Sequence, residues 1–171
     1  GGGIKELLDI ESCLKTGCEK IILNSFLYDN PKFLLDSVKN FGAQSIIVSI
    51  DIKKINGEYK IFNHAKNNIE KINISDHLKF CQDQMCGEIV LNSVDNDGMM
   101  NGYDINLISK FRSMIDRPFI INGGCGNPTH IKDAILQGAD ACLAASIFYF
   151  TRYSYAEIKD FLKNKNINVR I

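Results

Sequence analysis

Short apolar runs alternate with stretches of helical period along the whole chain, an alternation that predicts β-α units repeated from end to end. Residues 5–16, 31–40, 75–85, 104–111, 128–137 and 155–163 space their apolar positions as helices do. Residues 20–24, 45–51, 88–93, 118–121 and 139–145 are strand-like runs. Turn chemistry marks the joints. Asn30-Pro31 and Asn127-Pro128 each set an N-cap before Pro at the first helical position, Ser154 and Glu157 form a capping box, and Gly42 stops the preceding helix. Asn56-Gly57 predicts a tight hairpin between 50–54 and 58–62, while 64–74 has no clean period and reads as a polar loop. Ser45-Ile46-Ile47-Val48-Ser49-Ile50 is apolar almost throughout, which suits a parallel strand buried on both faces.

The pattern repeats at a larger scale. A shift of 121 positions lays Gly2 on Gly123, Gly3 on Gly124, Gly17 on Gly138, Ser25 on Ser146 and Tyr28 on Tyr149. Each copy runs from a glycine pair through a helix and a single Gly to a strand that closes on Asn24-Ser25 or Ala145-Ser146. Glycine lets backbone N–H groups approach an anion, and a following helix N-terminus adds its positive end. Each copy therefore reads as a phosphate cradle, and two cradles imply a ligand with a phosphate at each end. One period holds about four βα units of roughly 30 residues. That favours a (β/α)8 TIM barrel, as a single domain over 1–171, against an open doubly wound sheet. A complete barrel takes about 250 residues, and the chain opens on glycines rather than Met. The expectation is thus a barrel truncated at its N-terminus, holding about the last five βα units plus the tail of the third.

Composition narrows the partners. The chain has 171 residues, 45% hydrophobic and 23% charged, with 20 basic and 20 acidic side chains, which points to neither a nucleic acid nor a membrane. No long apolar run or basic leader is present, so the cytoplasm is expected. The six cysteines include no C-x-x-C pair and read as reduced packing thiols; Cys125 alone lies in a glycine-rich loop before a helix, and it too is read as structural. No metal site and no cofactor are expected.

In a barrel, chemistry sits at the C-terminal ends of the strands. Asp51 ends the most apolar strand, where a carboxylate is costly without a task or partners, so it is the leading acid/base candidate. By the repeat its mate falls upstream of Gly1, and a second carboxylate is expected there. At the end of the next strand, Asp97-Gly98 offers a tight turn with a free N–H, and Asn92 or Asp95 could face the ligand.

These residues carry a resemblance. Gly1-Gly2-Gly3-Ile4, Ile22-Leu23-Asn24-Ser25, Phe41-Gly42-Ala43-Gln44 leading into Ile50-Asp51-Ile52-Lys53, Asp95-Asn96-Asp97-Gly98 with Gly102-Tyr103-Asp104, and Asn122-Gly123-Gly124-Cys125-Gly126 with Leu143-Ala144-Ala145-Ser146 resemble the cyclase subunit of imidazole glycerol phosphate synthase. The likeness runs through the whole chain. It implies a (β/α)8 barrel acting on a bisphosphate aminoimidazole nucleotide derivative. Ammonia from a partner glutaminase, docked on the opposite barrel face as the other half of a heterodimer, would pass through the barrel. The products would be imidazole glycerol phosphate and an aminoimidazole carboxamide nucleotide. The resemblance further implies that Asp51 is one of two catalytic aspartates. It places Gly2, Gly3, Asn24, Ser25, Asp97, Gly98, Gly123, Gly124, Ala145 and Ser146 on phosphates, and Lys20 and Glu88 in a charged gate where ammonia enters. The chain departs from the family's pattern at 63–69, where a Gly-rich loop with Thr-Gly is usual, and at Asn92, where Thr is usual. These departures keep two alternatives open: a paralogous ammonia-dependent barrel for amidino-sugar synthesis, and a non-catalytic phosphate-binding module that activates a glutaminase. The sister isomerase of histidine synthesis also has two cradles, but Gly102-Tyr103-Asp104 favours the cyclase.

Overall fold

A computed structural model describes residues 2–170, so Gly1 of the first glycine run lies outside the described residues. The elements are α1 (Leu7–Lys15), β1 (Ile21–Leu23), α2 (Phe26–Asp29), α3 (Lys32–Phe41), β2 (Ile46–Ile55), β3 (Glu58–Asn63), β4 (Asn68–Ile69), α4 (Ile74–Asp83), β5 (Glu88–Ser93), α5 (Ile105–Phe111), β6 (Phe119–Asn122), α6 (Pro128–Leu136), β7 (Ala141–Cys142), α7 (Ser146–Phe150) and α8 (Tyr155–Asn164). The strands form one sheet in the order β4-β3-β2-β5-β6-β7, with β1 on β2. β1, β2, β5, β6 and β7 run parallel, and only the β2-β3-β4 excursion is antiparallel. The parallel sheet is compatible with a TIM-like barrel that is not closed among the described residues: β1 pairs only with β2 and β7 only with β6, which leaves the sheet open between them.

Strand pleating gives the sheet two different faces. Ile46, Val48, Ile50 and Ile52 of β2, with Ile89, Leu91, Phe119 and Ile121, pack into the main core against Ile10, Leu34, Leu78, Leu107 and Ile108 from the helices. The alternate residues Ile47, Val90 and Ile120 form a second, smaller cluster with Ile22 packed on it. This two-sided burial explains the unbroken apolar run in β2. It also forces every polar side chain on the second face to find a partner within that face.

The repeat survives in three dimensions. Helices α1 and α6 occupy equivalent positions in the two copies, and the paired glycines share a left-handed backbone: φ is 91° at Gly2 and 94° at Gly123, 72° at Gly3 and 103° at Gly124. Each strand of the pair is followed by a short helix, α2 or α7, that the sequence pattern does not predict. Four or five residues are too few to display a 3.6 period.

Other differences have local causes. The runs 45–51 and 50–54 are one strand, Ile46–Ile55, which turns at Asn56 and Gly57 with φ of 50° and 83°, the left-handed pair that a type I′ hairpin requires. The loop expected at 64–74 contains β4, a two-residue strand paired with Phe62 and Asn63. The strand expected at 139–145 contracts to Ala141–Cys142, at an edge with a single neighbour, although Leu143 N–H still donates to Ile121 C=O at 2.9 Å.

His77 on α4 is 5% exposed, with its ring centroid 5.2 Å from that of Tyr28 and 6.0 Å from that of Phe80. Burial pushes its pKa down to about 4. Between that value and the ordinary one of about 6.5, the unfolded chain takes up a proton that the folded chain refuses. Stability therefore falls as pH drops through this window, by up to about 3 kcal/mol. Urea unfolding of wild type and His77→Phe at pH 7 and pH 4 is expected to show a smaller acid loss in the variant; equal losses would remove His77 as a cause.

Candidate active site

The polar residues of the second face gather at the C-terminal ends of the strands. Asp51 lies one residue before the end of the buried part of β2 and is 4% exposed. Its Oδ2 accepts from Asn24 Nδ2 at 2.8 Å, and its Oδ1 accepts from Asn92 Nδ2 at 2.8 Å. Asn92 Oδ1 in turn accepts from Asn122 Nδ2 at 3.0 Å. Strand register produces this row, since Asp51 lies opposite Asn92, and Asn92 opposite Asn122. Carboxylate oxygens only accept, so the asparagine at each side must turn its NH2 toward Asp51. The carboxylate is thereby fixed in plane, with lone pairs left on both oxygens. Asn24 Oδ1 is buried and finds no partner among the described residues.

Beside Asp51 opens a cavity of about 690 Å³, lined by Gly2, Gly3, Asn24, Ser25, Asp51 and His64 among others. A second cavity, of about 170 Å³, is lined by Asp97, Asn122, Gly123, Gly124, Ala145 and Ser146, with Cys125 beside them. The structure thus gathers each half of the repeat into its own hollow. Gly98 turns with φ of 77° but does not line the second hollow. Asn24, expected on a phosphate, spends its amide on Asp51 instead. Cys125 is buried beside Tyr103, and burial pushes its thiol pKa up, which suits packing rather than nucleophilic attack.

At the other end of the strands, Lys20 Nζ pairs with Glu88 Oε1. Glu88 sits opposite Ile47 at the start of β5, and Asn92 is four residues further along the same face, about 13 Å at the usual strand rise. Between them lie Ile22, Ile47, Val90 and Ile120. The second face is therefore layered: an ion pair below, an apolar band, and the Asp51 row above.

With this geometry in place, comparison with known proteins is specific. The model of the histidine biosynthesis protein family matches residues 1–154. This chain belongs to the histidine biosynthesis protein family. Among its relatives, the imidazole glycerol phosphate synthase subunit HisF of Campylobacter concisus (strain 13826) is 39% identical over 171 residues, covering 100% of this chain and 68% of that protein. In this histidine biosynthesis protein two site residues were not singled out by sequence reasoning. Asn122 precedes the second glycine pair and closes the amide row; its place beside Asn92 is set by pairing of β5 with β6, which no local pattern displays. His64 lies on the turn after β3, with Nε2 3.8 Å from Asp51 Oδ2. A departure from the family's loop pattern at 63–69 was the available signal.

No helix among the described residues is long and apolar enough to cross a membrane.

Proposed function

We propose that this chain acts as the cyclase subunit of an imidazole glycerol phosphate synthase. It would combine ammonia from a glutaminase subunit with a bisphosphate aminoimidazole nucleotide derivative, releasing imidazole glycerol phosphate and an aminoimidazole carboxamide nucleotide. The observation that carries this reading is the pair of glycine-lined hollows on one row of strand ends, with a buried carboxylate between them. From β1 to β7 there are four strand spacings, on the order of 20 Å along the sheet, a span for a ligand with phosphates at both ends. Gly2, Gly3 and Ser25 hold one phosphate, with Asn24 bridging to Asp51; Asp97, Gly123, Gly124, Ala145 and Ser146 hold the other, with Gly98 shaping the turn that follows Asp97. The 39% identity to a HisF subunit over the whole of this chain supports the same assignment.

Asp51 is the acid/base. Its two amide donors orient it without consuming its capacity to take up a proton. The apolar band of Ile22, Ile47, Val90 and Ile120 admits neutral ammonia and penalises ammonium, because an unpaired charge in apolar surroundings is costly. The Lys20–Glu88 pair gates its lower end, where the glutaminase docks. The parallel strands β1, β2, β5, β6 and β7 fit part of a (β/α)8 barrel, since the second copy of the glycine-helix-strand unit begins four βα units after the first.

The test is turnover by the full-length protein. With the bisphosphate nucleotide and an ammonium salt, imidazole glycerol phosphate is expected; with glutamine instead, it is expected only when the glutaminase subunit is added. No product from ammonium would overturn the reading.

A further inference from the structure

Asp51 meets the cavity through only a small part of its surface. It is 4% exposed, and the amides of Asn24 and Asn92 occupy one side of each oxygen. Neither amide titrates. The buried Tyr28 hydroxyl, on α2, has its pKa pushed far up by desolvation and by the charge of Asp51, so it cannot release a proton near neutrality. His64 differs from these. Its Nε2 stands 3.8 Å from Asp51 Oδ2, while its side chain is 57% exposed, so one ring touches both the carboxylate and the solvent-facing cavity. Imidazole can also accept a proton on one ring nitrogen and donate from the other.

The ring is held in place rather than left on a loose loop. It packs edge-on against Phe62, with centroids 4.7 Å apart and planes at 86°. The turn that presents it is pinned by Asn63, which is fully buried. Asn63 Oδ1 accepts from Lys66 N–H at 3.1 Å, and Asn63 Nδ2 donates to Glu70 Oε1 at 2.6 Å. Asn67 closes the turn with φ of 50°. Lys66 reaches across to Asp29 on α2, tying the turn over the cavity mouth. The charged groups around the imidazole are Asp51 and Lys53 on β2, the Asp29–Lys66 pair, Lys5 on the cavity wall and Glu70 beside Asn63. Lys53 Nζ sits 5.3 Å from the centroid of the Phe62 ring.

We propose that His64 is the proton relay between Asp51 and solvent, an inference that rests on the acid/base role proposed for Asp51. After Asp51 takes a proton from the substrate, the carboxylic acid passes it from Oδ2 to Nε2 of neutral imidazole. This regenerates the carboxylate and forms imidazolium, which gives one proton to water or buffer. One proton crosses from substrate to solvent, and both side chains return to their starting forms. The 3.8 Å gap closes by a small rotation of the half-exposed ring or by one bridging water.

The test uses the full-length protein with ammonium salt and the bisphosphate nucleotide in dilute, non-imidazole buffer. His64→Ala is expected to lower kcat about tenfold or more, with less than about a twofold change in KM and an unchanged melting temperature, because the residue is largely exposed. Added imidazole is expected to restore kcat saturably in His64→Ala, and to do nothing for wild type or Asp51→Asn. His64→Gln, which keeps a polar group but cannot titrate, is expected to be as slow as His64→Ala. Full activity in His64→Ala, a defect that imidazole does not relieve, or rescue by His64→Gln would each overturn the relay. The two readings separate cleanly: an active Asp51→Asn defeats the role of Asp51, whereas an inactive Asp51→Asn beside a fully active His64→Ala defeats the relay alone.

Discussion

Asp51→Asn in the full-length protein is expected to lower kcat for imidazole glycerol phosphate formation by about 10²–10⁴-fold, the range that positioned acid/base groups contribute. The nucleotide KM is expected to stay nearly constant, because Asn keeps the shape of Asp51 where it lines the first hollow and the glycines are unchanged. The substitution keeps shape but exchanges an acceptor for a donor, so the new amide would face an NH2 of Asn24 or Asn92. Asn24 can relieve that conflict by flipping, since its Oδ1 has no partner among the described residues. The stability loss should therefore stay within about 1–3 kcal/mol. Steady-state kinetics decide the matter: more than about a tenth of wild-type kcat would remove Asp51 from the acid/base role.

Gly124→Val and Gly3→Val are expected to fail in different ways, although the repeat makes them look equivalent. A Cβ at Gly124 would stand 2.1 Å from the Gly102 carbonyl oxygen, at φ of 103°. The Gly102 N–H to Gly124 C=O bond of 2.8 Å holds that approach in place. Backbone must move, and a loss above about 3 kcal/mol is expected from the clash and the strained dihedral together. At Gly3, with φ of 72°, a Cβ would meet nothing within 4 Å among the described residues. Dihedral strain alone costs about 1–3 kcal/mol, so this variant should fold and lose only its phosphate hollow. Thermal melts of the two variants compare them directly; equal drops in Tm would show that the Gly102 contact does not constrain Gly124.

Sequence and structure part company at such points. The glycine pairs, the hairpin at Asn56-Gly57 and the bounds of β5 are legible because each depends on residues adjacent in the chain. Asp51 is legible because a carboxylate ending an apolar run is conspicuous whatever surrounds it. Its partners are not. Asn24, Asn92 and Asn122 meet through the register of four strands, and His64 arrives from a turn set by the buried amide of Asn63. The close approach of the Gly102 carbonyl to Gly124 comes from a loop that no local pattern around the glycine pair displays. The short helices α2 and α7 escape notice for want of length, yet each begins at a hollow, with Ser25 or Ala145 at its N-cap position.

The most direct measurement of whether one bisphosphate spans this site is a crystal structure of the full-length protein soaked in inorganic phosphate. Two anions are expected, one against Gly2, Gly3 and Ser25 and one against Gly123, Gly124 and Ser146, with Asp51 between them and making contact with neither. A single anion, or none at either glycine pair, would contradict the two-phosphate site and return the glycines to the status of turns.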